Sequence, residues 1–195
     1  EESFPDEYQE RKIISLLLNY GDKQTTQTII GESGEKEEAS YLVAAYLVGE
    51  IANDNLSFDN RLYQTIFQIY IFAKDYIFEK GGLPELSIFT NNQDSEVQKL
   101  ATSLLINNYI VSDLWEKKWK IIIPDPESEE KLNLNVKESL LSFKLNKLER
   151  KIIAIEEKLK DEVEYEDQLI LISEQKILRT LKQIISSELN RIVTK

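Results

Sequence analysis

The final stretch of the chain is written as two long helical repeats in succession, and the second carries more apolar surface than the first can cover. Leu141, Leu145, Leu148, Ile152, Ile155 and Leu159 recur at alternating steps of four and three. That is the single narrow seam by which two helices wrap around each other. After an acidic turn, Ile170, Leu171, Ile177, Leu178, Leu181, Ile184, Ile185, Leu189 and Ile192 make a band wider than one neighbouring helix can bury. A hairpin of two helices has little core of its own. The surplus therefore has two possible destinations: the rest of this chain, or another protein that takes an amphipathic helix into a groove. The pattern alone leaves both open.

The 195 residues are enough for a sizeable core, in one domain or two small ones. With six Gly and four Pro, the chain has too few turn formers for a sheet-rich fold, so the expected class is all-α. A formal charge of -11 argues against a nucleic-acid groove, which needs clustered Lys and Arg to displace counterions from phosphate. Protein partners are favoured instead. Cys and His are both absent, which excludes disulfides, zinc sites built on thiolate or imidazole, Cys nucleophiles and every triad with an imidazole base. No apolar run reaches the ~18 residues of a membrane span, and no basic-then-apolar signal opens the chain, so a cytoplasmic location is expected. The chain begins Glu-Glu-Ser-Phe-Pro and contains no Met, the expectation for a piece of a longer protein.

The helical pattern divides the chain into a bundle with connector over 1–133, the connector being 109–133, and a hairpin over 134–195. A first helix is expected from Ser3 as cap to Asn19, with Gly21 as terminator. Residues 22–35 read as a polar loop around Ile29 and Ile30. A second helix over 37–53, apolar nearly all round from Tyr41 to Val48, belongs at the centre of a bundle. Asp59 is placed to cap a third helix, with Phe58 and Tyr63 as a hydrophobic staple, running through Leu62, Ile66, Ile69, Ala73 and Tyr76 to Gly81 and Gly82. Asp94 is placed to cap a fourth helix that turns Val97, Leu100, Ala101, Leu104 and Leu105 inward.

In the connector, Trp115 and Trp119 share a helical face, and Ile121 to Ile123 before Pro124 reads as extended. The two hairpin helices are expected from about Asn135 to Lys160 and from the acidic turn, Asp161 to Asp167, to the end. The first would be roughly 40 Å long and would have to project beyond a small bundle.

Carboxylates are the only candidate catalytic material. Glu127, Glu129 and Glu130, and the run from Asp161 to Asp167, sit in polar surroundings that favour solvation over metal binding. There is no phosphate-binding Gly loop, no Asp-x-Asp pair and no EF-hand pattern. Gly31-Glu-Ser-Gly34 lacks both the Lys and the strand of a nucleotide loop. Stacking of bases on Trp115 and Trp119 would need a basic groove, whereas only Lys117, Lys118 and Lys120 are near. The tryptophans are expected to clamp the connector to the bundle, and Tyr63, Tyr70 and Tyr76 to lie at the core edge. Catalysis, metal binding and cofactor binding are not expected in this chain.

Three segments carry a resemblance. Gln9-Glu-Arg-Lys-Ile-Ile-Ser-Leu-Leu-Leu-Asn-Tyr-Gly21, Phe58-Asp-Asn-Arg-Leu-Tyr-Gln-Thr-Ile-Phe67 and Asp94-Ser-Glu-Val-Gln-Lys-Leu-Ala101 are similar, in order and spacing, to helices of the C-terminal helicase-binding domain of bacterial DnaG-type DNA primases. The connector with Trp115 and Trp119 looks most like the Bacteroidetes type. The resemblance implies a non-catalytic tail that docks on the N-terminal domains of the DnaB-type replicative helicase, recruits primase to the fork, and is monomeric alone. It implies that the hairpin is the grip, from about Tyr165 to Val193. Within that span, Tyr165, Ile177, Leu181, Ile184, Ile185, Leu189 and Ile192 are the candidate partner-binding residues. The alternatives are the N-terminal helical domain of the helicase itself, which would assemble into rings, and an unrelated helical adaptor with a coiled-coil arm.

Overall fold

A computed structural model describes residues 7–30, 35–106, 128–160 and 164–193. It is an all-α fold that ends in a helical hairpin and includes one two-stranded sheet. The elements fall into two compact units, 1–137 and 138–195.

In the first unit, α1 (Glu7–Tyr20) buries Ile13, Ile14, Leu16, Leu17 and Leu18. It ends at Gly21, where any side chain would collide with the Leu17 carbonyl. The next segment corrects the expected loop: Gln24–Ile30 is strand β1, paired antiparallel with β2 (Lys36–Leu42), Thr26 opposite Ser40. The expected second helix is shortened accordingly. It begins only at Val43, as α2 (Val43–Asn53).

The strand was hidden because its inward side chains are polar. Thr25 and Gln27 are buried, so the period-two pattern carries no hydrophobic contrast. Their burial is tolerated because they are hydrogen-bonded: Gln27 Nε2 donates to Thr25 Oγ1 at 2.7 Å and to the Asn133 carbonyl at 3.3 Å. The Thr26 amide donates to Asn133 Oδ1 at 3.0 Å, so Asn133 occupies a backbone donor on the outer edge of β1.

The third expected helix is two. Helices α3 (Arg61–Phe72) and α4 (Lys74–Lys80) meet at Ala73, and α4 closes on Gly81 in the left-handed conformation at φ 64°. The cap of α3 is Asn60, not Asp59: Asn60 Oδ1 accepts from the Leu62 amide at 2.8 Å. With the cap moved by one residue, Phe58 and Tyr63 no longer occupy staple positions. Both are nonetheless buried, and Phe58 packs against Phe67 with ring centroids 4.9 Å apart.

A short helix that the pattern did not indicate, α5 (Leu86–Thr90), inserts Phe89 against Tyr70, centroids 5.3 Å apart. Helix α6 is described over 95–106. Asp94 caps it as expected, its Oδ1 accepting from the Glu96 amide at 3.0 Å. Asn19 Nδ2 donates to the Leu104 carbonyl at 3.2 Å and ties α1 to α6. Trp115, Trp119, Ile121 to Ile123, Ser3 and Glu127 lie outside the described residues, and so do Asp161 and Glu162 of the acidic turn.

Helix α7 (Glu129–Lys158) starts six residues before the expected Asn135 and continues from the first unit into the second. Helix α8 is Tyr165–Val193. At 1.5 Å per residue each is roughly 45 Å long.

Candidate protein-docking surface

Polar contacts between the helices show the antiparallel register of the hairpin. Glu156 Oε1 accepts from Gln175 Nε2 at 3.2 Å and pairs with Arg179 Nη2 at 2.8 Å, and Glu149 Oε1 pairs with Lys182 Nζ at 2.8 Å. Exposed pairs of this kind contribute only ~0–1 kcal/mol each, so they fix alignment more than stability. The register sets Leu148 level with Ile184 and Ile185, and Ile155 level with Leu178. On α7, Ile152 and Ile155 are buried and Leu141, Leu145 and Leu148 half-buried, as is Leu159 just past its end. Between the helices an open groove of about 580 Å³ is lined by Ile152, Glu156, Arg179, Lys182, Gln183, Ser186, Ser187 and Asn190.

Helix α8 sorts its band into two stripes. Leu171, Leu178, Ile185, Leu189 and Ile192, with Gln175 and Lys182 between them, are half-buried at heptad spacing and form the seam. One residue earlier, a turn of about 100° around the helix, Ile170, Ile177, Leu181 and Ile184 form a second stripe that faces water. Their exposures are 65%, 60%, 43% and 59%. Among the described residues of α8, no side chain is buried.

The seven candidate residues therefore divide. Tyr165, Ile177, Leu181 and Ile184 are exposed, Tyr165 at 73% in the first turn, while Ile185, Leu189 and Ile192 are half-buried on the seam. Isolated exposed aliphatics need no explanation, whereas a run of them along one helix face is a feature that interaction surfaces share.

The charges of α8 are also sorted. Glu166, Asp167 and Glu174 lie in its first ten residues without a base, and Lys176, Arg179, Lys182 and Arg191 follow against Glu188 alone.

The buried polar groups of the first unit serve its packing. Glu10 is fully buried, and its two carboxylate oxygens accept the amides of Asp59 at 2.6 Å and Asn60 at 3.1 Å, at the entrance to α3. A helix N-terminus favours such an anion, since its first amides have no partner within the helix. Sequence reasoning missed this residue, although its signal was present: Glu10 falls on the apolar face of Ile13, Ile14 and Leu17, at spacings of three, four and seven.

The Tyr70 hydroxyl donates to the Leu17 carbonyl at 2.9 Å, and burial raises its pKa above the ordinary phenol range. Burial, with the charge of Glu7 next, raises Tyr63. Asp94 is held below the ordinary carboxylate range, first by the hydrogen bond from Arg61 and then by the Glu96 amide. Among the described residues no group of acidic side chains is arranged to hold a metal ion, and no helix is long and apolar enough to cross a membrane.

A family model described as a domain of unknown function, DUF8430, matches residues 1–193. The chain belongs to the DUF8430 family. The match runs through both compact units, so the hairpin is as much part of the DUF8430 pattern as the helices before it. No curated protein and no solved structure matches the chain.

Proposed function

We propose that this chain is the non-catalytic helicase-docking module of a bacterial DnaG-type DNA primase, acting in the cytoplasm. It holds the N-terminal domains of a DnaB-type replicative helicase through the exposed face of α8. The observation that carries the reading is the second stripe, Ile170, Ile177, Leu181 and Ile184, left facing water on a helix whose other stripe meets α7. A face of that kind gains free energy only when something covers it, at about 25 cal/mol per Å² of apolar surface removed from water. Helix-in-groove docking is the mode that fits anchors at these spacings.

Further support comes from the three segments in the first unit that resemble helices of the primase domain, and from a charge of -11 that suits a protein partner better than nucleic acid. On this reading the primase chemistry, with its metals, resides in other domains of the parent enzyme. The module itself uses no cofactor. Titration calorimetry of the intact chain against the N-terminal domains of the helicase from the same organism is the test. Saturable binding is expected. Absence of heat at any concentration, or assembly of the chain alone into rings, would overturn the assignment.

A further inference from the structure

We infer that the open edge of β2 is taken by residues 117–123 of this chain, which lie parallel to it as a third strand. The pairing stands apart from helicase docking and does not depend on it.

One edge of the sheet is partly occupied and the other is open. Because the Thr26 amide points away from β2, to Asn133, Thr26 and Ser40 form a pair whose backbone groups face outward on both strands. Ser40 and, two residues before it, Glu38 therefore turn an amide and a carbonyl out of the sheet. Among the described residues nothing meets those groups, and both residues are exposed. An open edge is what folded proteins cover or blunt, and two strands alone are marginal.

A segment outside the described residues fits this edge. Lys117-Lys-Trp-Lys-Ile-Ile-Ile123 holds three lysines and no acid, is rich in residues that favour strands, and stops at Pro124. Laid parallel with Lys118 beside Glu38, it puts Trp119 and Ile121 next to Ala39 and Tyr41, on the face where Thr25 and Gln27 are buried. Lys118 and Lys120 fall on the opposite face with Glu38, and Lys117 stands beside Glu37. Glu37 and Glu38 are exposed and form no ion pair among the described residues. An antiparallel strand would set isoleucines against these glutamates instead.

Chain length sets the same direction. Both flanks of 107–127 are held where β1 begins and β2 ends: Asn19, at the end of α1, binds the Leu104 carbonyl, and Asn133 binds Thr26. Residues 107–116 span up to about 33 Å at 3.3 Å per residue, more than the roughly 23 Å of the seven-residue β2, so they reach its far end at Lys36. Residues 117–123 then return along β2, and 124–128 reach α7.

Amide exchange in the intact chain is the test. The Ser40 amide, donating to the Trp119 carbonyl, should exchange about a hundredfold or more below the rate of an open amide. Ile121→Pro removes the donor to the Ser40 carbonyl and should speed that exchange about tenfold or more, with the helical circular dichroism signal unchanged. Glu38→Lys and Lys118→Glu should each speed it, and the two together should slow it again. The chain contains no cysteine, so Glu38→Cys with Lys118→Cys should close a disulfide on mild oxidation, neighbouring strands being about 5 Å apart. Glu38→Cys with Ile122→Cys should not. Open-amide exchange of Ser40 in the parent, protection that Ile121→Pro leaves untouched, or a disulfide in the second pair alone would each overturn the proposal.

Discussion

Replacing Glu10 with Ala should be among the most damaging single changes in the first unit. The carboxylate is fully buried and accepts two backbone amides, those of Asp59 and Asn60. Removing it takes the acceptor from both amides, each a hydrogen bond to a charged group worth about 1.5–3 kcal/mol, of which water recovers part because Asp59 is exposed and Asn60 half-buried. The smaller side chain also leaves a void beside Ile13, Ile14 and the start of α3, while the relief of desolvating a charge offsets part of the loss. The net expectation is a loss of about 2–4 kcal/mol.

Glu10→Gln keeps the volume but presents an NH₂ to one of the two amides, so it should lose roughly 1–3 kcal/mol. Urea unfolding followed by circular dichroism measures the global effect. Amide exchange at Asp59 and Asn60, accelerated in both variants, localises it. A Glu10→Ala protein within about 0.5 kcal/mol of the parent, the scatter of inconsequential surface changes, would show that these amides find other acceptors and that Glu10 is not the anchor of α3.

Tyr70→Phe removes only the hydroxyl that donates to Leu17 and should cost about 1 kcal/mol, read from the shift in urea midpoint at constant slope. Gly81→Ala forces a side chain into the left-handed region at φ 64° and should cost about 1–2 kcal/mol in thermal unfolding. The Asp94 carboxyl, depressed chiefly by Arg61, adds stability above its unfolded-state pKa and loses it as pH falls through the lower folded value. That contribution is thus intact at pH 7 and disappears in the acid range below about pH 4. In an NMR titration Arg61→Ala should move the Asp94 midpoint upward, and an unmoved midpoint would dismiss the Arg61 contact as its cause. Ile152→Asp, on the buried seam, should lower the melting temperature of the hairpin, whereas Ile184→Asp should leave it unchanged.

The hairpin was legible because both of its helices repeat apolar residues at steps of three and four over many turns, a signal that survives uncertainty at any one position. The excess apolar width of α8 was legible for the same reason. Which part of the band meets α7 was not: Ile184 and Ile185 are neighbours in sequence, and the rotation that exposes one and half-buries the other is visible only in the paired helices.

The sheet escaped because its buried face, Thr25 and Gln27, is polar and gains its satisfaction from within β1 and from Asn133, more than a hundred residues away. The break at Ala73 carries no Gly or Pro and leaves no local mark in the sequence. The cap of α3 falls on Asn60, whose Oδ1 accepts the Leu62 amide, at a helix entrance whose Asp59 and Asn60 amides are both held by Glu10, a contact between distant segments. Glu10 belongs to a different class: a charge at a core position of an amphipathic helix is visible in the sequence and predicts a buried partner.

The affinity of the helicase N-terminal domains for the intact chain, compared with that for its Ile184→Asp variant, is the most direct measurement of what α8 does. Ile185→Asp would be ambiguous here, because that residue is half-buried on the seam with α7. Ile184 stands 59% exposed, so its replacement should spare the fold. If the exposed stripe is the grip, calorimetry should give saturable binding to the parent and a loss of about 2 kcal/mol or more for the variant, as central interface anchors do. Equal affinity for the two proteins, with both folded, would contradict the assignment of α8 as the docking helix.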